Sequence, residues 1–331
     1  MFTSISKGVN QTHRFALNQA IKKQNKKIAS SKKSSFKHEE NVIVLVGTKN
    51  IILNIFISIF SQSTIVLYFT GFGRIYTDFA IFGRLVLMAL VLVSSIRKNR
   101  YFIVENSYDF RAIANFSRRS ITQVNGSGFN KSLYKKRKRK RKIQSDPSKS
   151  DIKVLGYMSR FGNSKCSNEI IKLIEKLPPN YRIKIAGQDI HGKHYSNIFY
   201  KIAEENPKVE MLGFLESPKE ISEFFNSIDI FLYPSKREGL PITLIESIYH
   251  QVPFLTTNVA GCIDLSNRFN FPTLTPGKFG DPHKLNGSER WGSWKPSWDK
   301  ILNEYTSLNV QLQFELLFVK ILNDIKKNNI V

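Results

Sequence analysis

Residues 233–246 read YPSKREGLPITLIE, in which an apolar strand end is followed by a Gly/Pro turn and the start of a helix. The short apolar run 228–233 is typical of a strand that is buried on both faces of a parallel sheet. Pro241 suits the first position of a helix because its ring presets φ and its missing amide proton needs no partner there. The amides of residues 242–244 would then be unpaired and able to hold an anion.

Two carboxylates flank this predicted helix start. Glu238 lies in the turn, and Glu246 would lie five residues into the helix, about 7.5 Å along its axis from the helix start. For an isolated pair at this spacing, a solvated loop residue and an exposed helix residue are the simpler interpretation. The surrounding pattern instead favours a ligand that carries both a phosphate and hydroxyl groups, because carboxylates accept hydrogen bonds from hydroxyls.

Strands and helices alternate along the chain, which predicts parallel sheets. The second half runs from a strand at 154–157 to one at 253–256 and predicts a doubly wound sheet of about five strands. The first half alternates less clearly, from a strand at 42–46 to a turn and helix start at 106–109. Ligands of doubly wound sheets lie beyond the carboxyl ends of the strands. The candidate residues expected at such ends are Arg160, Lys165, Gly187, Gly213, Glu238 and Gly261.

The chain has 331 residues, of which 41% are hydrophobic, and this is enough for two modest cores. Its two cysteines, Cys166 and Cys262, are far apart, which favours neither a disulfide framework nor a zinc site and fits a reducing cytosol. The apolar passages 51–69 and 81–96 are interrupted by polar residues and are short for a membrane span, and the first predicts a helix followed by a strand. No secretory leader pattern is present at the N-terminus, so we expect a cytoplasmic protein.

The formal net charge is +24, with 50 Lys and Arg against 26 Asp and Glu. Such a surface attracts polyanions, either nucleic acid or the anionic cytoplasmic face of a membrane, and composition alone does not choose between them. The densest block, Lys135 to Lys142, reads KKRKRKRK. It is interpreted either as a binding patch for one of these polyanions or as a solvated, disordered connector.

Six ordered pieces of the second half resemble the retaining GT-B glycosyltransferases of family 4, also called group 1. They are 156–160 (GYMSR), Lys165, 185–187 (IAG), 212–214 (LGF), 234–246 and 259–264 (VAGCID). The first half is more remote and resembles the subgroup that acts on undecaprenyl-linked sugars. The matching pieces there are 48–50, 70–77, 104–109 and 126–130.

The resemblance implies an α/β protein of the GT-B class, in which two Rossmann-like doubly wound domains face a cleft and the N-terminal one is reduced. The implied boundaries are an acceptor-side domain at 1–134, partly disordered within 1–40, a basic linker at 135–150, a domain that binds a nucleotide-sugar at 151–290 and a helical segment at 291–331. The tryptophans Trp291, Trp294 and Trp298 are expected to pack this last segment onto the core rather than to stack on sugar.

The resemblance also assigns roles to individual residues. Arg160 and Lys165 would neutralise the donor diphosphate, and a basic pair beyond a strand end can indeed stabilise charge that grows on a leaving group. Glu238 would contact the donor sugar and Glu246 the ribose hydroxyls. The other predicted donor-binding residues are Gly187, Gly239, Leu240, Pro241, Ile242 and Thr243. The predicted acceptor-side residues are Thr70, Gly71, Gly73, Asn106 and His13.

Three departures from the family pattern stand out. Ser159 and Cys166 replace glycines beside the basic pair, the Asn-Gly loop after Asp264 is missing, and the N-terminal half is short. No metal and no cofactor are expected, since the nucleotide-sugar is itself a substrate. The histidines outside the N-terminal half, His191, His194, His250 and His283, lack the spacing of metal ligands.

The leading hypothesis is therefore a hexosyl- or N-acetylhexosaminyltransferase that acts with retention at the inner face of a bacterial membrane. Its acceptor would be a lipid-linked or polysaccharide chain in surface glycan biosynthesis. Nucleic acid is not an expected partner of such an enzyme. Two alternatives stay open: a nucleic-acid-binding protein that uses Lys135 to Lys142, and a degenerate transferase without turnover.

Overall fold

A computed structural model describes residues 1–5, 15–31, 41–72, 80–117, 119–135, 152–189, 191–281, 295 and 297–328. The chain divides into two compact units, each with its own parallel sheet. The first unit comprises Met1–Phe129, Arg237–Ile242 and Asn303–Val331. The second comprises Asn130–Lys236 and Thr243–Leu302. The loop Arg237–Ile242 thus belongs to the first unit, although the chain on both sides of it belongs to the second.

The first unit has a five-stranded sheet in the order β1-β2-β3-β4-β5, and all neighbours are parallel. Its strands are β1 (Phe2–Ile5), β2 (Val42–Val46), β3 (Thr64–Phe69), β4 (Arg100–Val104) and β5 (Ile121–Gln123). Its helices are α1 (Phe15–Ser31), α2 (Thr48–Leu53), α3 (Ile55–Phe60), α4 (Ala80–Ser95), α5 (Ser107–Ala114) and, after the second unit, α12 (Ser307–Asn328).

Both faces of this first sheet are covered, which explains why its strands are apolar throughout. One face packs against α1 and α12, with Val44, Tyr68 and Phe314 in a shared core. The opposite face, which carries alternate residues such as Leu67, packs against α2, α4 and α5. The passage 51–69 forms helices followed by strand β3, as predicted.

Two elements of the first unit lie in the stretch 1–40, for which partial disorder was predicted. Strand β1 pairs with β2, and Phe2 of β1 is 3% exposed. Helix α1 buries Ala16, Leu17 and Ala20 against the same core. The sequence contains a helical pattern near 14–21 but no signal for β1, because only a few positions of this polar, lysine-rich stretch are apolar. Residues 6–14 and 32–40 lie outside the described part of the chain.

The second unit has a six-stranded parallel sheet in the order β11-β10-β9-β6-β7-β8. Its strands are β6 (Lys153–Phe161), β7 (Tyr181–Asp189), β8 (Val209–Gly213), β9 (Ile230–Tyr233), β10 (Phe254–Thr257) and β11 (Thr273–Leu274). Its helices are α6 (Ser167–Glu175), α7 (His194–Glu205), α8 (Pro218–Asn226), α9 (Ile242–Tyr249), α10 (Ala260–Phe269) and α11 (Ser297–Asn303). The short edge strand β11 was not predicted.

The strand order reverses between β6 and β9. The chain builds outward from β6 to β8 and then returns to place β9 directly beside β6. In doubly wound sheets the crevice beyond the carboxyl ends of such a pair of strands is where ligands bind. The second sheet therefore has one preferred place for a ligand, at the ends of β6 and β9.

Two candidate glycines do not occupy the strand ends at which they were predicted. Gly261 lies in the first turn of α10, an unpredicted helix. Gly187 lies inside β7, where an added Cβ would meet the carbonyl oxygen of Ser159 in the neighbouring strand. Gly187 therefore has a packing reason to be glycine.

Trp298 in α11 packs in the second unit, as expected, because its ring centroid lies 5.0 Å from that of Phe271. Trp291 and Trp294 lie outside the described residues. No helix among the described residues is both long enough and apolar enough to cross a membrane.

Candidate functional site

Lys165 lies at the reversal of strand order in the second sheet. It belongs to a short 3₁₀ turn, Asn163–Lys165, that directly follows β6. Its Nζ donates to the hydroxyl of Tyr233 over 3.3 Å and lies 5.3 Å from the centroid of that ring. Tyr233 is the last residue of β9, so the ammonium group is held where the ends of β6 and β9 meet. A cation in this position can bind an anionic ligand at the switch point.

Two hydrogen bonds hold the backbone of this turn in place. The hydroxyl of buried Tyr157 donates to the carbonyl oxygen of Lys165 over 3.1 Å. The amide of Lys236, just beyond β9, donates to the carbonyl oxygen of Ser164 over 2.9 Å. Burial raises the pKa of Tyr157, so its hydroxyl keeps its proton. The backbone of Lys165 is therefore held in place by residues of the sheet and its strand ends.

Cys166 follows Lys165 in the left-handed conformation, with φ 54°. This conformation favours glycine, which accounts for the glycine that the family pattern has at this position. Burial raises the pKa of the Cys166 thiol to about 12, so the thiol stays protonated. Cys166 is thus a packed residue rather than a nucleophile.

Arg160 lies near the carboxyl end of β6 with an exposed side chain. Lys165 follows the same strand end, so the structure brings the two predicted cations to one end of one strand. Their proposed role toward a diphosphate remains a prediction.

Glu246 is buried in α9, with 7% of its surface exposed. Its interpretation as an exposed helix residue is therefore wrong. The hydroxyl of Tyr134 donates to Glu246 Oε1 over 2.6 Å. Burial raises the pKa of Glu246 to about 7, although the hydrogen bond from Tyr134 opposes this shift. This carboxyl therefore titrates near neutral pH.

Sequence reasoning missed Tyr134. The residue precedes the basic block and has no local signal, because its partner Glu246 is 112 positions away. Lys135 donates its backbone amide to Ser222 Oγ over 3.1 Å. The rest of the block, 136–142, lies outside the described residues, so both interpretations of its charge remain predictions.

Helix α9 begins at Ile242, one residue later than predicted, and Pro241 immediately precedes it. The difference is small because Pro241 still presets the backbone entry into the helix. The amides of residues 242–244 remain those of the first turn, which have no partner within the helix. The predicted anion-binding role of this turn, including Thr243, is unchanged.

In the first unit, the loop that carries Glu238, Gly239 and Leu240 is held by residues at the end of β4. Asn106 Nδ2 donates to the carbonyl oxygen of Gly239 over 3.0 Å and to Asp109 Oδ2 over 2.9 Å. The amide of Leu240 donates to Glu105. The predicted residue Asn106 thus contacts the backbone of this loop.

Glu105 is a buried acid that was not among the predicted site residues. The hydroxyl of Tyr68 donates to Glu105 Oε1 over 2.6 Å. Burial raises the pKa of Glu105 to about 7 against this hydrogen bond, and repulsion from Asp109 and Glu238 adds to the rise. The sequence feature that could have identified Glu105 is its place in the motif 104–109, directly after an apolar strand.

Thr70 and Gly71 also lie against this loop. A Cβ added at Gly71 would lie 3.0 Å from the Cα of Gly239, and Gly71 has φ +96°. Both features require glycine. Gly73 and His13, the other acceptor-side candidates, lie outside the described residues.

Gly239→Ala is expected to displace this loop and to destabilise the protein by about 2–4 kcal/mol. The added Cβ would lie 2.4 Å from the carbonyl oxygen of Thr70 and 2.9 Å from Glu105 Oε2. Thermal unfolding measures the loss. Gly280→Ala is the control. The nearest atom to its added Cβ is a side-chain carbon of Lys172 at 3.2 Å, so a smaller loss of stability is expected. Equal melting temperatures for Gly239→Ala and the wild type would show that the loop is free to move.

Comparison with known proteins assigns a family to the part of the chain that contains these residues. Residues 138–270 match the family model described as glycosyl transferases group 1. This segment belongs to the group 1 glycosyl transferases. The group 1 segment contains Arg160, Lys165 and Glu246, and it includes the strand reversal that positions Lys165. The group 1 assignment that was predicted for the second half is confirmed for this segment.

Two similar proteins are named for surface polysaccharide biosynthesis. The capsular polysaccharide biosynthesis glycosyltransferase CapM of Staphylococcus aureus is 30% identical over 118 residues, which are 35% of this chain and 30% of CapM. The O-antigen biosynthesis glycosyltransferase WclY of Escherichia coli is 30% identical over 98 residues, which are 29% of this chain and 26% of WclY. The matched segments thus span less than a third of either relative.

Solved structures resemble the chain over a greater length. HepE of Anabaena, solved in complex with UDP and glucose, has a TM-score of 0.63 at 16% identity and covers 84% of this chain and 78% of its own. Sucrose-phosphate synthase of Thermosynechococcus elongatus has a TM-score of 0.64 at 12% identity and covers 96% of this chain and 81% of its own. These neighbours confirm the predicted α/β fold of the GT-B class with two Rossmann-like sheets.

Proposed function

We propose that this protein transfers a hexose or N-acetylhexosamine from a nucleotide-sugar to a lipid-linked or polysaccharide acceptor in bacterial surface glycan biosynthesis. The observation that carries the proposal is the fixed ammonium group of Lys165 at the strand reversal of a group 1 segment. The names of CapM and WclY support the pathway class, and the complex of HepE with UDP and glucose supports the donor class.

The proposed reaction breaks the bond between the anomeric carbon of the sugar and the diphosphate oxygen. A bond to an acceptor hydroxyl oxygen forms, with retention of the anomeric configuration, and the hydroxyl proton is released. Negative charge grows on the leaving diphosphate, and Arg160 and Lys165 stabilise it. Glu246 accepts hydrogen bonds from the ribose hydroxyls, and Glu238 contacts the donor sugar.

A donor screen tests this function. We expect at least one UDP-, GDP- or ADP-sugar to raise the melting temperature of the full chain by a few degrees at saturating concentration, since ligands that bind only the folded state stabilise it. Lipid-linked acceptors are then added, and release of the nucleoside diphosphate is measured. If no donor raises the melting temperature, the proposal is wrong. Protection without release of diphosphate would instead identify a degenerate transferase.

The proposed location is the cytoplasmic face of the membrane, where lipid-linked acceptors are found. The net charge of +24 supports it, because basic residues are attracted to anionic lipid headgroups.

A further inference from the structure

Helix α4 of the first unit is apolar on the side that faces away from its core. Leu87, Leu90 and Val91 are buried against the sheet, as expected of a covering helix. The opposite side carries exposed Ile81, Phe82, Leu85, Ala89, Leu92 and Val93, and Ile96 directly after the helix continues this stripe. These positions recur at helical spacing on one face. A helix on the surface of a water-soluble domain normally has polar residues on this face.

Helices α2 and α3 extend the same apolar surface. Phe56 and Phe60 of α3 are 72% and 65% exposed, and their rings stack with centroids 6.2 Å apart. Ile57 of α3 and Leu53 at the end of α2 are exposed as well. Arg97, just after α4, donates to the carbonyl oxygen of Ile59 over 2.7 Å and so ties the end of α4 to α3. We call the exposed apolar side chains of these three helices the apolar helical face.

The described charged residues of the stretch that forms the apolar helical face are all basic. Helices α2, α3 and α4 contain no Asp or Glu, and the only acidic residue between positions 48 and 98 is Asp78, outside the described part of the chain. The basic residues among the described ones in this stretch are Lys49, Arg84, Arg97 and Lys98. An apolar surface whose described charged residues along the chain are basic is complementary to an anionic lipid bilayer, which offers apolar chains beneath negative headgroups.

The same charges argue against a second copy of the chain as the occupant. A symmetric dimer places the same surface patch on both subunits, so these cations would face one another across the interface. The described 16 residues of α4 correspond to about 24 Å, which is shorter than the hydrocarbon core of about 30 Å. Helices of this kind lie in the plane of the membrane interface.

We propose that the apolar helical face docks the protein onto anionic membranes by inserting its aromatic and aliphatic side chains among the lipid headgroups. This docking surface rests on the proposed location at the membrane and adds which surface faces the lipid, but it does not depend on the sugar transfer itself. It lies on helices that carry none of the predicted donor-binding residues.

Vesicle co-sedimentation of the full chain tests the docking surface. We expect the wild type to bind vesicles of 70% phosphatidylcholine and 30% phosphatidylglycerol, and to bind pure phosphatidylcholine at least about 10-fold more weakly. Two variants remove apolar side chains: Phe56→Ser with Phe60→Ser, and Ile81→Ser with Phe82→Ser. Each is expected to weaken binding to anionic vesicles by about 10–100-fold. Their melting temperatures should stay within a few degrees of the wild type, because these side chains are exposed.

A matched control lies on another helix of the same unit. Leu308 and Leu316 of α12 are also exposed apolar residues, at 74% and 63%. Leu308→Ser with Leu316→Ser is expected to bind vesicles like the wild type. The proposal is overturned if the wild type does not sediment with anionic vesicles, if it binds neutral vesicles equally well, or if the α12 variant loses as much binding as the α3 and α4 variants.

A further outcome would identify a different occupant. If the wild type is a dimer by light scattering and the α3 and α4 variants are monomers that bind vesicles normally, the face joins two copies of the chain and the proposal is wrong. The rise in melting temperature that the donor causes is measured on the same variants and is expected to equal that of the wild type. If no donor raises the melting temperature of the wild type, the proposed function is wrong. Vesicle binding would still decide the docking surface.

Discussion

Lys165→Ala is expected to reduce the rate of sugar transfer by about 10²–10³-fold. The Lys165 ammonium is held at the end of β6 by the hydroxyl of Tyr233, and its backbone is fixed by Tyr157. The charge is therefore already in place when the diphosphate leaves, and no reorganisation is needed at that moment. Steady-state release of the nucleoside diphosphate, with the donor found by the screen, measures the loss in kcat.

The control for this prediction is Lys176→Ala. Lys176 is an exposed lysine directly after α6 in the same unit, so its replacement changes the net charge equally. We expect Lys176→Ala to transfer sugar at the rate of the wild type. Activity of Lys165→Ala above about half of the wild-type rate would mean that Lys165 does not stabilise the leaving group.

Glu246→Gln is expected to be more stable than the wild type above pH 7, by up to about 3 kcal/mol, and to lose this advantage toward pH 4.5. Burial raises the pKa of Glu246 from 4.5 to about 7 in the folded protein. Between these values the folded protein holds a proton that the unfolded chain has released. The contribution of Glu246 to wild-type stability therefore falls as the pH rises through this range. Glutamine is of equal size and does not titrate.

Urea unfolding at pH 5, 6, 7 and 8 measures this difference in the free energy of unfolding. Tyr134→Phe provides a second test. The Tyr134 hydroxyl donates to Glu246 over 2.6 Å and lowers the pKa of that carboxyl. Removing the hydroxyl should move the pH-dependent change to higher pH. The same pH profile in the wild type and in Glu246→Gln would show that another group titrates.

Donor binding should follow the same titration in the opposite sense. An ionised Glu246 accepts hydrogen bonds at both oxygens, so we expect donor affinity to rise with pH up to about 7 and then to level off. In Glu246→Gln the affinity should be about 10-fold lower and independent of pH over this range. Calorimetric titration with the donor distinguishes the two behaviours.

Local chemistry made parts of this site predictable. The strand, turn and helix around Pro241 follow from backbone preferences of neighbouring residues, and α9 begins within one residue of the prediction. Arg160 and Lys165 were placed at a strand end because a short apolar run stops shortly before them. Glu246 was correctly assigned to a helix, but its burial was not recognised, because burial depends on what packs over the helix.

Other features had no local signal. Tyr134 reaches Glu246 across 112 positions, and Asn106 reaches Gly239 across 133. The passage 81–96, which forms most of α4, was recognised as apolar, and a helix that is apolar all round is normally buried on all sides. Only the packing of its neighbours shows that one of its faces is uncovered and that Ile81 and Phe82 are exposed.

The sequence by itself determined the alternation of strands and helices, the turn chemistry before α9 and the group 1 pattern, because each depends on residues that are close along the chain. The tertiary structure decided which groups act together. The order of the second sheet places β9 beside β6 and so brings Tyr233 to Lys165, 68 positions apart. It also buried Glu246 and thereby raised its pKa, since the cost of removing a carboxylate from water depends on the surrounding fold and not on the neighbouring residues in the chain.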